Sequence, residues 1–92
     1  MNIAVEFTKH ALKRLSERCF RFGINIADAE ERARKTVKYG KPIKVKQKKG
    51  YSITLHYYFK EGFSFYVVCK KEKFINYALF KVKTVIIRWG RR

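Results

Sequence analysis

Acidic residues, proline and cysteine are all scarce in this chain: seven Asp plus Glu, one proline and two cysteines among 92 residues. So few carboxylates leave no pair or cluster for metal-assisted chemistry. Cys19 and Cys69 lie 50 positions apart and form no CxxC. With His10 and His56 they make four possible ligands but none of the close pairs that zinc modules use, so neither a metal nor another cofactor is expected. Both cysteines fall among apolar neighbours and read as small buried hydrophobes, which suits the cytosol. Long hydrophobic runs are missing too, Val85-Ile86-Ile87 being typical. No stretch is long enough to span a bilayer, no charged-then-apolar leader is read at the start, and no membrane partner is expected. No linker, repeat or low-complexity segment divides residues 1–92, so a single domain is expected.

Aromatics and positive charge, by contrast, are plentiful. Hydrophobic residues make up 47% of the chain and aromatics 16%, ample for a packed core and unlike a disordered tail. Lys plus Arg number 23, for a net charge of +16. Residues 1–31 are balanced, so the whole excess belongs to residues 32–92. Self-repulsion of this size works against compaction, and polyanion binding, most often to nucleic acid, is its natural use. A solubilising surface is the plainer alternative.

Pro42, two residues after Gly40, separates two halves of different periodicity. In the first, Thr8 is placed to cap a helix bearing Ala11, Leu12, Leu15 and Cys19, with Phe22-Gly23 ending it. Asn25 is placed to cap a second helix with Asp28 at its third position. Ile26, Ala29, Ala33 and Val37 form that helix's apolar stripe. In the second half, Tyr51, Ile53, Leu55, Tyr57 and Phe59 alternate with polar residues as a half-buried strand does. Glu61-Gly62 reads as a two-residue hairpin connection, and Phe63, Phe65, Val67 and Cys69 as the apolar face of the return strand. Further strands are expected over Ile43–Lys48, Lys73–Phe80 and Val82–Trp89. The expected fold is α+β, two N-terminal helices packed on a four- or five-stranded antiparallel β-sheet.

Two constellations carry chemistry. The polar side of the long hairpin shows Thr54, His56, Tyr58 and Lys60 on one strand and Ser64, Tyr66 and Lys70 on its partner, with Thr84 and Arg88 on the last strand. Rings among cations suit single-stranded RNA, whose bases stack while phosphates pair with cations. Simple cross-strand pairing of Tyr58 with Tyr66 is the alternative. On the first helix His10, Arg14, Glu17 and Arg21 share one face, with Arg18 a turn beyond Arg14. An imidazole can take a ribose 2′-hydroxyl proton, and a guanidinium can grip the phosphate oxygens. An ordinary surface or capping histidine has the same spacing.

The run His10-Ala11-Leu12-Lys13-Arg14-Leu15-Ser16-Glu17-Arg18, with Gly23-Ile24 after it and Lys83-Thr84-Val85-Ile86-Ile87-Arg88 near the end, resembles a family of small HAL-x-RL-x-ER proteins. That family is grouped with the colicin D and RelE-like toxin ribonucleases. The resemblance implies a RelE/colicin D-like domain, a catalytic His10, phosphate contacts from Arg14 and Arg18, and a supporting Thr84. The expectation that joins these readings is a metal-independent, toxin-type endoribonuclease acting on tRNA or on mRNA at the ribosome. His10 and His56 would transfer protons, Arg14, Arg18 and Arg88 would hold the phosphate, and an acidic antitoxin would silence the enzyme. The rival is an architectural or regulatory nucleic-acid-binding protein without chemistry. The two separate on whether His10 lies near the basic face of the sheet.

Overall fold

A computed structural model describes residues 2–43 and 52–91. Its elements are β1 (Asn2–Phe7), α1 (Lys9–Phe20), α2 (Ile26–Tyr39), β2 (Lys41–Ile43), β3 (Ser52–Tyr58), β4 (Phe63–Lys73) and β5 (Tyr77–Trp89).

Both helices start where the sequence places them. The Thr8 hydroxyl accepts from the Ala11 N–H at 3.0 Å, and the Asn25 side chain accepts from the Asp28 N–H at 2.8 Å, each satisfying a donor that a helix start leaves open. The first helix closes through Gly23 N–H to Phe20 C=O (3.2 Å) and Ile24 N–H to Cys19 C=O (3.1 Å), the paired bonds of a Schellman motif, with Gly23 at φ 69°. Ala11, Leu15 and Cys19 of α1 and Ala29, Ala33 and Val37 of α2 are buried in one cluster with Leu55, Phe65, Val67, Val82 and Val85 of the sheet. Both helices therefore cover the same face, α1 over β5 and α2 over β3 and β4.

The sheet order is β1-β5-β4-β3-β2. Among the described residues it has five strands and is mixed, which corrects the expected all-antiparallel sheet. The fifth strand is β1, unread in the sequence, and it runs parallel to β5 from Asn2↔Tyr77 to Phe7↔Val82. A parallel neighbour needs a long crossover, here the whole chain from α1 to β4. The two strands expected over Lys73–Phe80 and Val82–Trp89 are mostly one, β5, while Lys73 ends β4. A bulge at Lys83 displaces the β4–β5 register between Val68↔Thr84 and Cys69↔Val82, which shifts the apolar alternation by one residue and imitates a break. The β3–β4 connection is longer than two residues: Phe59 N–H donates to Phe63 C=O and Gly62 N–H to Phe59 C=O, enclosing Lys60-Glu61-Gly62. Of the strand expected over Ile43–Lys48, β2 reaches Ile43 and the rest lies outside the described residues, as does Tyr51.

Arg32 ties the hairpin tip to α2. Its guanidinium meets Asp28 at 3.0 Å and both Glu61 oxygens at 3.2 and 2.7 Å, and lies 4.9 and 5.0 Å from the Phe59 and Phe63 ring centres. This pairing holds the Glu61 carboxyl down at about 2 and raises the Arg32 pKa, chiefly through the Glu61 hydrogen bond.

Candidate nucleic-acid interface

Among the described residues no helix lies on the other face of the sheet. Residues on β3, β4 and β5 that alternate with the core point there, and their register defines the surface. His56 stands opposite Tyr66, which stands opposite Ile86; Tyr58 and Arg88 flank Ser64; Val68 lies opposite Thr84, and Lys70 opposite Lys81.

His56 is held at the centre. Its ring lies 4.8 Å from the Tyr66 ring at an interplanar angle of 33°. Its Nε2 is 2.9 Å from Ser64 Oγ, and Ser64 donates its single proton to the Gly90 carbonyl at 2.7 Å. A carbonyl only accepts, so Ser64 receives this bond from His56, whose Nε2 bears the proton that is donated. The relay is fully built: Ser64 is buried and no buried side-chain polar atom among the described residues lacks a partner.

Cations frame these rings. The Arg91 guanidinium lies 5.2 Å above the Tyr58 ring, and with Lys41, Tyr39 and His56 it lines a cleft of about 890 Å³ at one end of the face. Arg88 is exposed beside it. Lys70 and Lys81 face each other across β4 and β5, with Glu72 3.9 Å from Lys81 Nζ, and Lys83 Nζ donates to Ser52 Oγ at 2.9 Å. Like charges opposite one another in a sheet are locally unfavourable, so the Lys70/Lys81 pair costs stability where a polyanion would offset it.

The structure therefore brings His56, Tyr58, Tyr66, Lys70, Thr84 and Arg88 onto one surface, as expected. Lys60 is not among them, because β3 ends at Tyr58 and Lys60 sits in the following turn. There it lines a separate cleft of about 840 Å³ between α2 and the hairpin, with Arg34, Lys35 and Lys38.

The residues of α1 are placed elsewhere. The helix lies on the covered side of the sheet, so the sheet stands between His10 and His56, and the expected pair of proton-transfer groups is not assembled. His10 is exposed, and among the described residues no hydrogen bond or ion pair reaches it. Arg14 is 3.5 Å from Glu17, an exposed pair of little strength. Arg21 is exposed at the helix end. Arg18 is committed: it donates to the main-chain carbonyl of Val85 and, at 3.3 Å, to Thr84 Oγ1. Pairing between β1 and β5 stops at Val82, so Arg18 fills a carbonyl on the edge that β1 leaves open. Arg18 therefore anchors the helix to β5, and its guanidinium is taken up by Thr84 and Val85 where a phosphate contact was expected.

Cys19 and Cys69 are buried and unpaired, and burial raises both thiols, Cys69 to about 11. They stay protonated near neutral pH and are poor nucleophiles. No group of three or more His, Cys, Asp or Glu converges among the described residues. No helix among them is long and apolar enough to cross a membrane. Sequence reasoning missed Arg91 and Lys41 as members of the interface; their basic character alone marked them, and only the fold sets them beside Tyr58 and His56. No family model, characterised protein or solved structure matches the chain.

Proposed function

We propose that this chain is a single-stranded nucleic-acid-binding protein, with RNA as its main target, and that the open face of the sheet is its binding surface. The observation that carries the reading is the tilted His56–Tyr66 ring pair, held by the Ser64 hydroxyl and set among Lys41, Lys70, Lys81, Arg88 and Arg91. Aromatic faces accept any base by stacking, and the surrounding cations meet the phosphates on either side. The excess charge of +16 adds a long-range attraction that speeds encounter. The surface carries few competing acids: Glu72 is engaged by Lys81, and Glu6 lies out on β1.

Binding accounts for this geometry better than cleavage by His10 does. A catalytic imidazole needs guanidinium groups free to seat the phosphate beside it. Arg14 turns to Glu17 and Arg18 to the β5 edge, and the basic face lies across the sheet from His10. A cytosolic setting suits two buried free thiols.

Fluorescence anisotropy with a labelled unstructured RNA tests the reading. The logarithm of the wild-type affinity should fall linearly with log salt, and Tyr66→Ala should weaken binding about tenfold at fixed salt while leaving the salt slope nearly unchanged. Equal affinity of wild type and Tyr66→Ala would place binding elsewhere.

A further inference from the structure

The open face does not end at the lysine pair. Beyond Lys70 and Lys81 the same alternation continues through Glu72 and Leu79 to the β4–β5 turn, where Phe74 N–H donates to Tyr77 C=O at 2.8 Å. The Phe74 and Tyr77 rings stack there at 4.8 Å with only 14° between their planes. They are 44% and 38% exposed, and Ile75 at the tip is 97% exposed. A two-residue turn closed by a flat, half-exposed aromatic pair adds little to the core, which at this end of the hairpin is reached by the buried Ala78.

Resting on the nucleic-acid reading, we infer that the Phe74–Tyr77 stack is a second base-stacking platform, so the preferred ligand is one strand long enough to reach both ring pairs. Tyr66 lies on β4 and Phe74 one residue past its end, eight positions on, about 27 Å at strand rise. At about 3.4 Å per stacked nucleotide that distance corresponds to roughly eight nucleotides, and to fewer when the strand is extended. The interval between the platforms is cationic, with Lys70, Lys81 and Lys83 along it, as a phosphate chain crossing it requires. Charge complementarity selects nucleic acid as the occupant. Exposed Ile75 then packs on the face of the terminal base, where an apolar side chain is favoured over water. Joining two platforms on one strand makes the second contact intramolecular, so affinity rises in a step once the strand spans both.

The test is a length series of oligouridylates, from about 4 to about 12 nucleotides, titrated against the whole chain. Wild type should show a step of about tenfold or more between the shortest and longest strands. Phe74→Ala should remove that step and leave the shortest strand's affinity unchanged, while Phe74→Tyr keeps it; Tyr66→Ala should weaken every length. A smooth, stepless rise with length in wild type, or a step that survives Phe74→Ala, overturns the second platform and leaves the first intact. Failure of every length to bind overturns both. Loss of binding to anionic phosphatidylserine vesicles in Phe74→Ala and Ile75→Ser, with no length step, assigns the tip to a lipid surface instead and overturns the inference.

Discussion

Ser64 Oγ lies 2.9 Å from His56 Nε2 and 2.7 Å from the Gly90 carbonyl oxygen, so one buried hydroxyl joins β3, β4 and the residue after β5. Removing it strands an N–H and a carbonyl together. Ser64→Ala should cost about 1–3 kcal/mol, read as a lower urea midpoint at unchanged slope. On the binding reading it should also weaken RNA affinity, because the imidazole loses a bond that helps to orient it. A midpoint equal to wild type would show that the relay is not held in solution.

Glu61 and Arg32 make stability depend on pH on the acid side. The folded-state carboxyl sits at about 2 against an ordinary 4.5, because Arg32 hydrogen-bonds its charged form. A depressed folded pKa contributes stability that is complete above about 4.5 and is lost as pH falls through about 2. The melting temperature of wild type should therefore fall more steeply over that window than that of Glu61→Gln. Parallel profiles would mean that the pair does not form.

Gly40 follows α2 at φ −71°, where any residue fits, but space forbids a side chain. An added Cβ would lie 2.3 Å from the Thr36 carbonyl oxygen and 2.8 Å from that of His56, both main chain. Gly40→Ala must push β2 and β3 from the helix end and should destabilise by about 2 kcal/mol or more, since overpacked backbone has no rotamer to yield. Thermal unfolding measures it; a loss under about 0.5 kcal/mol, the usual surface effect, would contradict the close approach.

His10→Ala should change neither fold nor RNA affinity by more than about twofold, given an exposed ring that no side chain among the described residues engages. The same variant, incubated with total RNA in EDTA and followed on denaturing gels, should match wild type. Cleavage products with 2′,3′-cyclic ends made by wild type and absent with His10→Ala would restore the nuclease reading.

Local signals were readable in the sequence; distant ones were not. Thr8 and Asn25 mark their helices because a cap acts within three residues, and the alternation of Ile53, Leu55 and Tyr57 with Thr54 and His56 marks β3 because burial on one side repeats every two. In β1, Ile3, Val5 and Phe7 alternate in the same way, but six residues beside a capped helix start say little until β5, some 75 positions on, supplies a parallel edge. β5 itself reads as two strands because apolar residues run 78, 80, 82 and then 85, 87, 89, with the bulge between. The open face was legible, since its members are the polar partners of readable core positions. The separation of His10 from His56 was not, because which side of a sheet a helix covers depends on packing rather than spacing. The Arg32–Glu61 clasp and the β5 anchor of Arg18 are equally tertiary.

The most direct test is a map of where RNA lies on the protein. With 4-thiouridine placed along an unstructured strand and cross-linked sites read by mass spectrometry, adducts should concentrate on peptides of β3, β4 and β5 that carry His56, Tyr58, Tyr66 and Phe74. Adducts confined to α1 around His10 and Arg14, with the sheet peptides unmodified, would contradict the account.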